Sequence, residues 1–191
     1  EQGLSQKGAE EGNASFYFSQ TRLDTEGVLR VQDKIFDVSG LSWMDHEFGT
    51  STLGVDQVGW DWFSIQLSDN TEIMLFQIRE MDGEISPFSS GTIINEDNSI
   101  IPLKTEDFEI QPLKTWRSPD GVGYPSEWKI TINSEDIELS IKPVIPDQEM
   151  KLFFQYWEGA VEISGLVNGK EVSGYGYVEL TGYAQSMQGV F

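Results

Sequence analysis

From residue 16 onward, apolar and polar side chains alternate in short runs. Ile137, Leu139 and Ile141 alternate with Glu138, Ser140 and Lys142. Trp128, Ile130 and Ile132 alternate with Lys129 and Thr131, and Phe63, Ile65 and Leu67 with Trp62, Ser64 and Gln66. Val172, Gly174, Gly176, Val178 and Leu180 alternate with Ser173, Tyr175, Tyr177 and Glu179. A period of two predicts strands with one buried face. The run from Ile73 to Ile78 is apolar on both faces apart from Gln77, which predicts a strand covered on both sides. Asp82-Gly83, Asn168-Gly169 and the Asn95 to Ser99 cluster each separate two such runs, and Asn168-Gly169 is the strongest hairpin signal. No segment carries helical spacing with caps. Residues 149–156 come nearest, but Phe153-Phe154 with Tyr156-Trp157 suits a strand equally. Residues 1–15 have one Leu and no apolar period, and are expected to form a flexible tail or linker.

About ten evenly spaced strand candidates imply an all-β sandwich or a closed barrel. Gly174 and Gly176, inside a strand, favour a barrel, where a strand bends sharply or leaves room for a ligand. The expectation is one domain over residues 16–191. It would be an antiparallel β-barrel of about 8–10 strands, with an interior wide enough for one small molecule.

A chain of 191 residues buries a core without staples. Its 32 acidic and 12 basic residues give a net charge of -20. That field repels nucleic acid and anionic membrane surfaces and suits a neutral or cationic ligand. There is no cysteine, and His46 is the only histidine. Thiol nucleophiles, disulfides, thiolate zinc sites and multi-histidine metal centres are thereby excluded. Neither a metal nor a cofactor is expected. No run approaches the roughly 20 apolar residues of a membrane span. No basic stretch followed by an apolar one opens the chain as a signal peptide would.

Carboxylates embedded among aromatics mark three segments: Trp43-Met44-Asp45-His46-Glu47-Phe48-Gly49, Gly59-Trp60-Asp61-Trp62-Phe63 and Gln155-Tyr156-Trp157-Glu158-Gly159. A carboxyl group against indole rings loses hydration, so its pKa rises and it can serve as a general acid near neutral pH. The ring faces stabilise a cation. Together these are what proton addition to a C=C bond requires. The plainer alternative is ordinary barrel-wall composition, with the acids solvated or capping turns. His46 is either a structural hydrogen-bonding residue or a group whose pKa its flanking carboxylates raise. A Ser-His-Asp hydrolase lacks support, because no G-x-S-x-G elbow is present. Arg79 is either a buried ion-pair partner for one of these acids or a strand-end charge. The acidic turns at Asp82-Gly83-Glu84 and Glu96-Asp97-Asn98 lack the full EF-hand pattern and suit solvated turns better than calcium loops.

At these segments the sequence resembles the lipocalin-like superfamily of AttH-type secreted hydrolases and carotenoid 1,2-hydratases. The pieces that carry the resemblance run in order over almost the whole chain after residue 15. They are Phe16 to Leu23, Trp43 to Gly49, Gly59 to Phe63, Trp116 with Ser118-Pro119, Tyr124-Pro125, Trp128, Asp147 to Glu149, Tyr156 to Val161 and Gly174 to Tyr183. The resemblance implies a lipocalin-like (calycin) barrel. It also implies full-length members with two barrels in tandem behind a secretion or lipoprotein signal. This chain would be the later part, with the N-terminal barrel of the same protein as its partner. A secreted or periplasmic location is implied, with the signal outside the present sequence. The hydratases add water to a terminal alkene without a cofactor. Their His-x-Trp motif corresponds to His46 with Phe48, a departure that removes an indole donor, and their aromatic–acid pair to Trp60, Asp61 and Trp62.

The expectation is therefore a barrel that binds an apolar, alkene-bearing small molecule, with cofactor-free hydro-lyase or isomerase chemistry in prospect. Asp61 or Asp45 would donate the proton, His46 would orient the donor or water, and Glu158 is a reserve acid. Trp43, Trp60, Trp62, Arg79, Tyr156, Trp157 and Tyr175 would line the site. A non-catalytic carrier of hydrophobic ligands and a structural barrel that packs on a partner barrel are the alternatives.

Overall fold

The computed structural model describes residues 3–49 and 53–189. A short first strand, β1 (Leu4–Gln6), precedes a long hairpin of β2 (Ala14–Val31) and β3 (Lys34–Gly49). The next strands are β4 (Gln57–Leu67), β5 (Glu72–Glu80), β6 (Ser90–Ile94), β7 (Ile100–Lys104), β8 (Glu109–Arg117) and β9 (Gly123–Ile132). They are followed by β10 (Ile137–Pro143), β11 (Glu149–Lys151), β12 (Gln155–Val167) and β13 (Lys170–Leu180). The only helical pieces among the described residues are 3-10 turns at Thr105–Asp107 and Asn133–Glu135. The residues nearest to helical character thus form β11 and the start of β12.

The large sheet is antiparallel in the order β7-β6-β5-β4-β13-β12-β10-β9-β8, with β11 added to β12. Its alternating apolar positions fill one face. Phe63, Leu75, Leu103, Ile110, Trp128, Ile141, Val161 and Val178 belong to a single buried cluster. Leu103 on β7 and Ile110 on β8 meet there although the two edge strands share no ladder. The sheet is therefore curled into a lipocalin-like half-barrel around its core.

Large side chains crowd that interior. Phe63, Ile65, Tyr124, Trp128 and Trp157 have no exposed surface, and Phe63 sits edge-on to Trp128 at 5.6 Å. The ligand-sized interior expected from the strand count is occupied by the protein's own large aromatics.

Gly174 and Gly176 serve close backbone approach. A Cβ at either would overlap the carbonyl oxygen of Gln66 or Ser64 on the neighbouring β4. At the β12–β13 turn, Asn168 and Gly169 both have positive φ, 51° and 72°. A two-residue type I′ turn demands that geometry, which explains the Asn-Gly pair.

The small sheet is β1-β2-β3. Residues 4–6, within the stretch expected from sequence to be a tail, pair with Ala14 to Phe16. Lys7 and Asn13 beside them are buried, and Gln57 Nε2 donates to the Lys7 carbonyl at 2.7 Å. A three-residue strand ordered by a distant glutamine leaves no periodic trace in the sequence. The β2–β3 hairpin lies over the outer face of the large sheet. A bulge between Gln20 and Leu23 brings Thr21 and Arg22 against that sheet. There Gln66 Nε2 donates to the Thr21 carbonyl at 2.6 Å, and Arg22 pairs with Glu72 and donates to the Leu67 carbonyl. Beyond the bulge the hairpin projects outward, with Val28, Leu29, Val31, Ile35 and Phe36 exposed.

Candidate functional site

Strand parity decides what reaches the space under the hairpin. On β4 the odd residues Phe63, Ile65 and Leu67 enter the core, so the even residues Trp60, Trp62, Ser64 and Gln66 face outward. On β13 Tyr175, Tyr177 and Glu179 face the same way, as does Glu158 on β12. The register aligns one row across four strands: Glu158 opposite Glu179, Glu179 opposite Trp62, and Trp62 opposite Phe76. This row floors a cavity of about 750 Å³. Lys7, Tyr17, Trp43, Asp45 and Glu47 roof it from the small sheet.

The roof is held by polar contacts. Trp62 Nε1 donates to the Tyr17 hydroxyl oxygen at 3.1 Å, and the Trp43 ring stands edge-on to Trp62 at 6.1 Å. Asp45 accepts from Trp43 Nε1 at 2.8 Å and from Ser19 Oγ at 2.5 Å. Glu47 pairs with Lys7 at 3.0 Å and accepts from Ser15 Oγ at 2.6 Å.

The floor holds the perturbed acid. Burial pushes the Glu179 carboxyl up to about 7, helped by the Glu158 charge opposite and opposed by a hydrogen bond from Trp60. Burial likewise raises the Tyr177 hydroxyl to about 12, with Glu158 adding to the effect. Tyr156, beside Glu158, is pushed up by the same two causes in the same order. In the roof, burial lowers the Lys7 amine against the pull of Glu47.

Of the residues singled out from the sequence, Trp43, Asp45, Trp60, Trp62, Glu158 and Tyr175 line this one cavity. The others lie elsewhere. Asp61 has the parity of Phe63 and is buried on the core side. It accepts from Arg79 Nε at 3.1 Å and from the Tyr183 hydroxyl at 3.0 Å. Arg79 also donates to the Thr181 carbonyl and lies over the Tyr183 ring at 3.9 Å. Burial raises the Asp61 carboxyl against the pull of Arg79 and Tyr183. This cluster fastens the segment after β13 to β4 and β5. Trp157 is wholly in the core, its Nε1 donating to the Pro146 carbonyl at 2.8 Å. His46 lies on the opposite face of β3 from Asp45. It is exposed and stacked on Phe18 at 5.2 Å, while Phe16 and Phe48 stack beside it at 5.4 Å.

Glu179 and Lys7 were not singled out from the sequence. Parity finds the first, since Glu179 shares its face with Tyr175 and Tyr177 while Val178 and Leu180 take the core. Nothing local finds Lys7. Among the described residues, no group of three or more His, Asp or Glu side chains is arranged to hold a metal ion, and no helix is long and apolar enough to cross a membrane.

The family model for AttH-like proteins matches residues 1–183. A kievitone hydratase from Fusarium solani subsp. phaseoli is 25% identical over 169 aligned residues, covering 79% of this chain and 46% of that protein. The fold matches a crystal structure of an AttH-type protein from Nitrosomonas europaea with a TM-score of 0.85 and 31% identity, over 95% of this chain and 56% of that one. It matches the crystal structure of kievitone hydratase from Nectria haematococca with a TM-score of 0.76 and 25% identity, over 96% and 56%. The chain thus spans about half the length of these relatives. With the family model matched from the first strand to the segment after β13, and the same curled sheet in both solved relatives, this chain belongs to the AttH-like family.

Proposed function

We propose that the cavity under the hairpin takes an apolar, alkene-bearing small molecule. The protein that contains this chain would then add water across the C=C bond by cofactor-free acid catalysis. One observation carries the proposal: Glu179, its carboxyl raised to about 7, stands directly opposite Glu158 on the aromatic floor of the cavity. A carboxyl group that keeps its proton near neutrality is a competent donor to carbon. Glu179 gives its proton to one alkene carbon, and the π electrons form the new C–H bond. The cation left on the other carbon lies against the faces of Trp60, Trp62 and Tyr177, each worth about 0.5–2 kcal/mol. Water adds to that carbon, and its surplus proton returns to the Glu158–Glu179 pair. The sum is alkene plus water giving alcohol. The kievitone hydratase relatives, by their names, perform a hydration, which supports this class of reaction.

The outer face of the hairpin carries a second part of the proposal. Phe16, Phe18 and Phe48 are each about half exposed beside His46, and the apolar tip is bare. A further part of the same protein, absent from this chain, would cover that face. The relatives are about twice as long, which supports such a partner.

The test is incubation of the protein with kievitone and with simpler trisubstituted alkenes, followed by mass spectrometry for the gain of one water. Product from the wild type and none from Glu179→Gln is expected. Binding without any product, in the full-length protein as well as in this chain, would leave a carrier and sink the hydratase reading.

A further inference from the structure

The cavity is not uniformly apolar. Lys7 reaches into it with only 6% of its side chain exposed. Its Nζ lies 3.8 Å above the Phe76 ring centroid and 5.7 Å from that of Tyr17. An ammonium has three N–H donors and no acceptor. Among the described residues, Glu47 is the one oxygen partner of this amine, at 3.0 Å. Two donors are therefore left with ring faces alone, on a side chain that is itself almost wholly buried. An unfilled donor in such a place is costly, and an oxygen acceptor arriving there is worth more than in solvent.

We propose that Lys7 binds a neutral oxygen, carbonyl or hydroxyl, of the ligand, so that this site selects oxygenated lipophiles over pure hydrocarbons. The inference rests on the proposed function, with the cavity as the ligand site and Glu179 as its acid. The acceptor is neutral because Asp45, Glu47 and Glu158 already line the same cavity as this single ammonium, and an anion would meet an excess of like charge. Geometry adds a spacing. Lys7 sits over Phe76, and Phe76, Trp62 and Glu179 follow one another on adjacent strands of the same row. The oxygen and the protonated carbon are thus about two interstrand spacings apart, roughly 10 Å. That is the reach of a short isoprenoid or a fused ring pair with a polar end.

The test uses farnesol and farnesene, a matched alcohol and hydrocarbon, each displacing Nile red from the protein. The wild type should bind farnesol about tenfold or more tightly than farnesene, as expected for a hydrogen bond to a charged group. Lys7→Met should erase that preference, bringing the two affinities within about twofold of each other whatever it does to both together. A wild type without the preference, or a preference that survives Lys7→Met, overturns the inference. Displacement by neither compound from the wild type overturns the cavity as ligand site and the inference with it. Should Lys7→Met fail to fold, the wild type decides. Farnesol and not farnesene should protect Lys7 from reductive methylation, read by peptide mass mapping, and equal protection overturns the inference.

Discussion

Glu158 and Glu179 occupy directly opposed positions on β12 and β13, with the cavity above them and the core beneath. Like charges so placed repel, and a sheet face that tolerates them does so by keeping a proton on one. Replacing Glu179 by Gln should keep the fold and abolish proton donation. Glu179→Asp should keep part of it. Turnover of an accepted alkene by Glu179→Gln at the wild-type rate would remove Glu179 from the chemistry.

The same group ties stability to pH. Its folded pKa is about 7 against an ordinary 4.5. Between these values the native protein holds a proton that the unfolded chain has released. Its contribution is therefore full below the ordinary value and is lost as pH rises through about 7. At about 1.4 kcal/mol per pH unit the limit is roughly 3 kcal/mol. Urea denaturation at about pH 5 and about pH 8 should show the wild type losing more stability than Glu179→Gln over that interval. Parallel losses would mean that Glu179 titrates normally.

Asp61 gives a contrasting prediction. It is enclosed by Arg79 and Tyr183 and does not line the cavity. Asp61→Asn leaves the half-buried guanidinium without its counter-charge, which should cost about 3 kcal/mol in urea denaturation. Ligand affinity, measured by displacement of an apolar dye, should stay within a few fold. A variant of normal stability with lost turnover would return Asp61 to the catalytic candidates.

Arg22 clamps the hairpin, reaching Glu72 and the Leu67 carbonyl from the bulge. The core owes nothing to it. Arg22→Ala should raise amide hydrogen exchange across β2 and β3 and weaken apolar-dye binding about tenfold or more, the scale of a hydrogen-bonded charge pair. Protection in β9, β10 and β12 should not change. Loss of protection throughout would show that the hairpin and barrel unfold as one unit.

The bare hairpin face should make this chain associate when it stands alone. Phe16→Ser combined with Phe48→Ser should reduce self-association in analytical ultracentrifugation and leave dye binding within a few fold. Unchanged association would place the sticky surface elsewhere.

Much of the fold was legible because its signals are local. Ile137, Leu139 and Ile141 alternate and are buried, and Asn168-Gly169 makes the turn that its residues demand. The location of the site was less legible. Carboxylates adjacent to indoles in sequence suggest contact, but in a strand adjacent residues face opposite ways. Asp61 therefore leaves Trp60 and Trp62 for the core side, and Trp157 leaves Glu158. Parity could have assigned both, and would also have put Glu179 with Tyr175 and Tyr177. Lys7 lay beyond such arithmetic. Its place depends on Gln57, fifty residues away, and on the pairing of the short β1 with the start of β2.

The two walls of the cavity answer to different constraints. Trp62, Phe76 and Glu179 sit on strands whose other face packs the core, so the core fixes where they stand. Leu41, Ser42 and Trp43 sit on a hairpin that packs no core and tolerates replacement cheaply. Descendants of such a protein can therefore retune what they accept by rewriting the lid while the chemistry beneath it is inherited intact.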